Sequence, residues 1–235
     1  MKKNTVAIIL TSIVLILIGV SLRLYKYISI NTDTDKVKDI VPSSLTEKLK
    51  VPDEYSRKDK NNNGISDPID ISNNLKEQLE SKIKYVDGYY NGGYPPDDIG
   101  VCSDVIWRAF KSIDVNLKEL VDNDIASNLN DYKRVGGMID KNIDFRRVPN
   151  LKVYFDKYCR IETIEIKPGD VNSLKEWQPG DVILYLSPYE HVGIVSDERD
   201  EDGVPWVIHN ARPEMTKSKL NWFEDYDLLH YRWNY

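Results

Sequence analysis

Cysteine and histidine are scarce in this chain. Two cysteines, Cys102 and Cys159, and three histidines, His191, His209 and His230, are spread over 235 residues. Two cysteines do not make a disulfide framework; at most they form a single Cys102–Cys159 bridge. There is no Cys-x-x-Cys or His-x-x-x-His spacing, so a zinc site lacks its usual ligand pairs. Basic clusters are missing from the body of the chain, and the net charge is −6. This argues against nucleic acid as a partner, because phosphate binding needs concentrated Lys and Arg.

The remaining composition is that of a globular protein, 41% hydrophobic and 30% charged. The length allows one sizeable domain or two small ones. Fifteen tyrosines and five tryptophans imply aromatic packing and a polar cleft suited to sugar or peptide.

The N-terminus reads as a targeting segment. Residues 1–5 form a short cytoplasmic start carrying Lys2 and Lys3, and Val6–Leu22 is free of charge. That run reaches the lower limit of a membrane span, about 17 residues. Arg23, Tyr25, Lys26 and Tyr27 follow as interface anchors. The expectation is a single-pass cell-membrane anchor with the domain outside the cytoplasm. Gly19-Val20-Ser21 is a weak cleavage site, and cutting there would give a secreted protein. Residues 23–58 are polar, without sustained apolar periodicity, and read as a stalk.

Asp59–Asp70, DKNNNGISDPID, spaces oxygen ligands like a calcium loop. Asp59, Asn61, Asn63, Asp67 and Asp70 supply side chains, Ile65 supplies its carbonyl, and Gly64 permits the sharp turn. Two ligand positions carry Asn instead of Asp, and Asp70 is shorter than the usual bidentate Glu. The rival reading is a solvated turn in which Asp67 caps a helix with Pro68 in its first position.

Ile71, Leu75, Leu79 and Ile83 recur every four residues and predict an amphipathic helix over Pro68–Lys84. A second helix starts at Cys102 or Ser103, with Val105, Ile106, Ala109, Phe110 and Ile113 as its buried stripe. Leu117–Val121 and Pro149–Cys159 also read as helical, and Asp122–Asp144 as a polar excursion. Strands are expected at Ile161–Ile166, Val182–Leu186, His191–Ser196, Trp206–Ala211 and Leu228–Trp233. Helices come first and an antiparallel sheet follows, an α+β layout with the domain over residues 68–235.

Cys102 stands where a Gly/Pro-rich loop enters a helix. Unpaired N–H groups and the helix dipole at such a position can lower a thiol pKa from about 8.5 to roughly 3.5–7.5. A nucleophile needs a base, and the base an orienting group. With a period of two, His191 and Gly193 share one strand face, and Val207 and His209 share another. If those strands pair as a hairpin, Cys102, His191 and His209 can fill all three roles, with Asn210 the alternative orienter. His230 and Cys159 read as packing residues.

Three motifs in order carry a resemblance. They are Tyr89-Tyr90-Asn91-Gly92-Gly93 followed by Cys102-Ser103, then Gln178-Pro179-Gly180-Asp181-Val182, then His191-Val192-Gly193-Ile194-Val195 followed by His209. Over about Tyr85–Ala211 the chain resembles the NlpC-type, papain-like cysteine peptidases of bacterial cell walls, and looks like a branch of that group named only as a domain of unknown function. The resemblance implies a papain-like fold in which Cys102 is the nucleophile, His191 the base and His209 the orienter. It implies that Tyr89 helps hold the oxyanion or substrate, with the Cys102 N–H as one oxyanion donor. Val101 and Asp104 depart from the family pattern. Asp104 can cap the helix or shape a substrate subsite, but it opposes thiolate formation. Asp97 and Asp98 suggest a substrate bearing an amine.

The function expected is an extracytoplasmic, membrane-anchored cysteine hydrolase that cleaves amide bonds in peptidoglycan peptides. It needs no cofactor for catalysis, and calcium is a candidate at the separate loop. Two rivals share the fold: a non-catalytic wall-binding module, and an acyltransferase or deacylase using the same dyad.

Overall fold

The structure is a computed structural model that describes residues 48–223 and 226–235. The expected anchor Val6–Leu22 and the stalk up to Glu47 lie outside the described residues. Among the described residues, no helix is long and apolar enough to cross a membrane. The described end of the stalk is tied down. Leu49 N donates to Glu201 O, Glu54 N donates to Gln178 Oε1, and Leu49 and Val51 pack against an apolar cluster of the domain.

The architecture is mixed α+β. Helices α1 (Asp67–Glu80), α2 (Cys102–Lys111), α3 (Leu117–Ser127) and α4 (Val148–Tyr158) precede most of the sheet. The short strands β1 (Lys84–Tyr85) and β2 (Ile99–Gly100) form a parallel pair between α1 and α2. Strand β3 (Arg160–Ile161) and the one-turn helix α5 (Val171–Leu174) lead to β4 (Val182–Ser187), β5 (His191–Arg199), β6 (Pro205–Asn210), β7 (Met215–Lys219) and β8 (Asp227–Arg232). The order across the main sheet is β3-β8-β4-β5-β6-β7, antiparallel throughout.

Period-two alternation gives this sheet two buried faces. Val182, Leu184, Val192, Ile194 and Ile208 belong to the core that includes Ile71, Leu75, Val105, Ile106 and Phe110 of the helices. Ile183, Tyr185, Val195 and Val207 join Leu174, Trp177 and Leu220 in a second cluster. The second motif marks the turn before β4. Gly180 holds φ +86, and Asp181 accepts from Gln178 N, His230 and Arg232. His230 is buried, stacked on Trp177, and its other nitrogen meets Thr163 O, which is the packing role expected of it.

Some expectations are corrected. Helix α1 stops at Glu80, and Lys82 turns back at φ +49, so Ile83 reaches the core from outside the helix. Ser66, not Asp67, is its N-cap. Strand β3 ends at Ile161; Ile161 and Ile164 are exposed, so the alternation has no buried face to hold it in the sheet. Strand β7, MTKSK, was not anticipated because only Met215 is apolar. It is an edge strand, and its lysines suit an edge.

Candidate active site

Cys102 is the first residue of α2, 7% exposed, and both cysteines are free, so no bridge blocks it. Gly100, two residues upstream, knits three segments together. It pairs with Tyr85 across β1–β2, and its carbonyl accepts from Val86 N and from Asn210 Nδ2 at 3.1 Å. A Cβ at Gly100 would lie 2.9 Å from Asp104 Cβ, so only glycine fits this approach. The amide of Val192, next in sequence to His191, is among the groups that pull the thiol pKa down. No hydrogen bond joins the sulfur to the imidazole itself.

His191 and His209 meet as the strand pattern allows. The β5–β6 register places Ile194 opposite Ile208, which makes His191 and His209 diagonal neighbours. His191 Nε2 lies 2.8 Å from His209 Nδ1, and the two rings are edge to face. His209 Nε2 is 3.1 Å from Ser218 Oγ. Gly193, on the same strand face, leaves the room for this, since a Cβ there would be 2.6 Å from Val207 and 3.2 Å from His209 Cβ. Of the two candidate orienters, His209 meets the His191 ring, while Asn210 holds Gly100.

Burial dominates the electrostatics. It pushes the Cys102 thiol up to about 11, against the Val192 and Ser103 amides that pull it down; Asp104 adds to the rise. The lowering expected from the helix N-terminus is therefore overridden. Burial, followed by the charge of His209, takes His191 down to about 3, and burial takes His209 down to about 4. At rest the Cys102 thiol and both imidazoles are neutral. Each imidazole carries one proton, so the chain His191–His209–Ser218 runs in one of two directions.

The other candidates fall in different places. Asp104 is fully buried and fully engaged. Val101 N, Trp107 Nε1 and both Arg146 Nε and Nη2 donate to it. Arg146 Nη1 continues to Gly88 O, so Asp104 fastens the glycine-rich loop to the head of α2. This corrects its reading as a substrate group, since its oxygens face scaffold donors. Tyr89 is 62% exposed; its hydroxyl donates to Asp140 and accepts from Asn142 Nδ2. Tyr85, which sequence reasoning passed over, pairs with Gly100, two residues before Cys102. Burial raises its phenol first, and the Cys102 thiol is the next cause. Its one signal was a tyrosine in a short extended segment ahead of the glycine loop. Asp97 and Asp98 bear on Arg108, whose guanidinium bonds Pro96 O and Ile99 O.

Ser103 Oγ and Asn210 Oδ1 are buried at the head of α2 without hydrogen-bond partners. Two cavities, of about 730 and 440 Å³, open beside Asp67 and Tyr235 and beside Tyr94 and Trp107; neither is lined by Cys102, His191 or His209. The site is identified by its side-chain chemistry.

The Asp59–Asp70 loop is closed by its own hydrogen bonds. Asp59 accepts from Asn63 N and Gly64 N, and the amides of Asn61 and Asn63 donate to Asp70. Ile65 N donates to Asn63 Oδ1, and Lys60 N to Asp67 Oδ1. Burial, with Asp59 and Asp70 adding, raises the Asp67 carboxyl against the Lys60 amide. Among the described residues, no group of three or more Asp, Glu, His or Cys side chains is placed to hold a metal ion.

Fold and site together define an α+β domain with a cysteine at a helix head and a paired-histidine strand hairpin beside it. The chain belongs to the family described as Domain of unknown function (DUF1287), matched over residues 72–233. It is similar to the Uncharacterized protein YijF of Escherichia coli (strain K12), 36% identical over 162 residues, covering 65% of this chain and 76% of that protein. The family span holds Cys102, His191, His209 and Ser218 and begins after the Asp59–Asp70 loop.

Proposed function

We propose that this protein is a cysteine hydrolase of NlpC-type, papain-like architecture that cleaves amide bonds in peptidoglycan peptides, held outside the membrane by Val6–Leu22. The reading rests on one observation above the rest: the 2.8 Å His191–His209 contact on a strand pair that packs against the helix headed by Cys102. Nε2 of His191 is committed to His209, which leaves Nδ1 for the thiol. If His209 Nε2–H donates to Ser218, His209 Nδ1 accepts from His191 Nε2–H, and His191 Nδ1 bears the lone pair a base needs.

The chemistry starts from the neutral pair. As substrate enters, the thiol passes its proton to His191 Nδ1 while sulfur bonds to the amide carbon. The carbonyl oxygen takes the negative charge, with the Cys102 N–H as one donor to it. The C–N bond then breaks, and His191 returns the proton to the leaving amine. Water attacks the thioester, giving a proton to His191 and hydroxide to the carbonyl carbon, and cleavage of the C–S bond restores thiol and imidazole.

Digesting purified peptidoglycan and weighing the fragments tests this. The wild-type chain releases new peptide termini, and Cys102→Ala releases none while remaining folded by circular dichroism. Full release by Cys102→Ala, or none by the wild type, ends the proposal. The raised thiol favours a second reading, a non-catalytic wall-binding module; it requires sedimentation of the chain with intact wall and no new termini. Thioester transfer to an acceptor other than water, as in an acyltransferase, or attack on an acylated lipid or protein, as in a deacylase, would use the same residues.

Calcium at Asp59, Asn61, Asn63, Ile65, Asp67 and Asp70 is a separate proposal, supported by the charge crowding that Asp59 and Asp70 impose on Asp67. The expected result is a rise of several degrees in Tm with millimolar calcium, lost in Asp59→Ala. An unchanged Tm across a calcium titration removes it.

A further inference from the structure

Beside the strand that leads into Cys102 lies a cation that the chemistry above does not use. Arg212 follows the end of β6 and is exposed. Its guanidinium carbon is 5.3 Å from the centre of the Tyr85 ring. Tyr85 is anchored on both sides. It pairs with Gly100 in the β1–β2 ladder, and its N–H donates to Pro213 O. Asn210 in turn binds Gly100 O, so the 210–213 turn, Tyr85 and the entry to α2 form one unit. Arg212 thereby lies over a tyrosine whose strand partner, Gly100, is two residues before Cys102. It makes no ion pair with any described carboxylate. Asp87 is close enough to act on the Tyr85 phenol, yet it does not pair with Arg212.

We propose that Arg212 is a specificity residue that receives a carboxylate on the substrate, close to the amide presented to Cys102. A guanidinium is planar, always charged and weakly hydrated, and it matches a carboxylate with two parallel hydrogen bonds. Lying on a tyrosine face, it is held in place without losing its charge. The substrate class is therefore an acidic peptide with a free carboxylate beside the scissile bond. This replaces the amine expected from Asp97 and Asp98, whose charges bear on Arg108. The inference rests on the hydrolase reading for the word substrate, but its test does not need turnover.

Two alkylating agents of similar size serve as probes: iodoacetate, which carries a carboxylate, and iodoacetamide, which does not. The full chain is treated with each at pH 8, and modification of Cys102 is followed by peptide mass mapping, which separates it from Cys159. The ratio of the two rates, normalised to a free thiol, is expected to fall about five- to tenfold in Arg212→Gln and to return in Arg212→Lys, with the advantage shrinking in high salt. An equal ratio in wild type and Arg212→Gln overturns the proposal, and so does a Cys102 that neither reagent reaches. In a second arm, stem peptides with a free or an amidated carboxylate are bound to Cys102→Ala. Tighter binding of the acidic form that vanishes in Cys102→Ala/Arg212→Gln supports the assignment, and equal binding overturns it. A chain that shows both charge effects but cuts no wall keeps the Arg212 assignment and loses the hydrolase.

Discussion

At the scale of single residues, proton position matters more than proximity. Cys102 and His191 are each neutral because burial penalises the charged forms. A preformed thiolate–imidazolium pair is thus not the resting state, and the proposed hydrolysis requires His191 to present a lone pair at Nδ1. Ser218 bears on that choice, because His209 Nε2 faces its hydroxyl at 3.1 Å. Ser218→Ala is expected to lower kcat about tenfold and to reshape the kcat pH profile with KM little changed, whereas Ser218→Thr restores both. An unchanged profile in Ser218→Ala would remove Ser218 from the relay. Ser218 could not be picked out in the chain, since it belongs to MTKSK, a strand without an alternating apolar signal.

At the scale of elements, the head of α2 is set by a buried ion pair. Asp104 and Arg146 are 42 residues apart, and their side chains are almost wholly buried. They bind the loop at Gly88 to the helix that carries Cys102. Removing one partner leaves a charge buried without compensation. Arg146→Met is therefore expected to cost about 3–5 kcal/mol in denaturant unfolding, and Asp104→Asn added to it should recover part of that loss. Equal stability of Arg146→Met and wild type would show that the pair does not hold the loop. The helix start at Cys102 was legible, because a Gly/Pro-rich loop runs into an apolar stripe. The role of Asp104 was not, because Arg146 lies in a polar stretch whose short 3₁₀ turns have no apolar period.

At the scale of the molecule, the buried histidines make stability depend on pH. In the folded state His191 titrates at about 3 and His209 at about 4, both below the ordinary value of 6.5. Between those limits the unfolded chain binds more protons, so stability is full above about pH 6.5 and falls as the pH drops. Asp181 works in the same direction at lower pH: burial alone would raise it, but Arg232 and His230 hold it below the usual carboxylate range. At the other end, burial lifts Cys102 to about 11 and Cys159 to about 12, so stability declines again above about pH 9. Thermal unfolding should show a plateau from about pH 6.5 to 9, with the acid slope flattened in a His191→Gln/His209→Gln variant. A Tm that stays level from pH 7 to 4.5 would contradict neutral, buried imidazoles. Local pattern alone determined the α+β order, a helix beginning at Cys102 or Ser103 and the strands carrying His191 and His209, because strand alternation and helix periodicity are short-range constraints written into neighbouring residues; the β5–β6 register then brought the two histidines together. Only the tertiary structure decided that Arg146 ties Asp104 into the scaffold, that Arg212 lies over Tyr85 beside the strand leading to Cys102, that Ser218 meets His209 and that the thiol is raised. Those outcomes depend on burial and on contacts between segments far apart in the chain, and such contacts have no period to read.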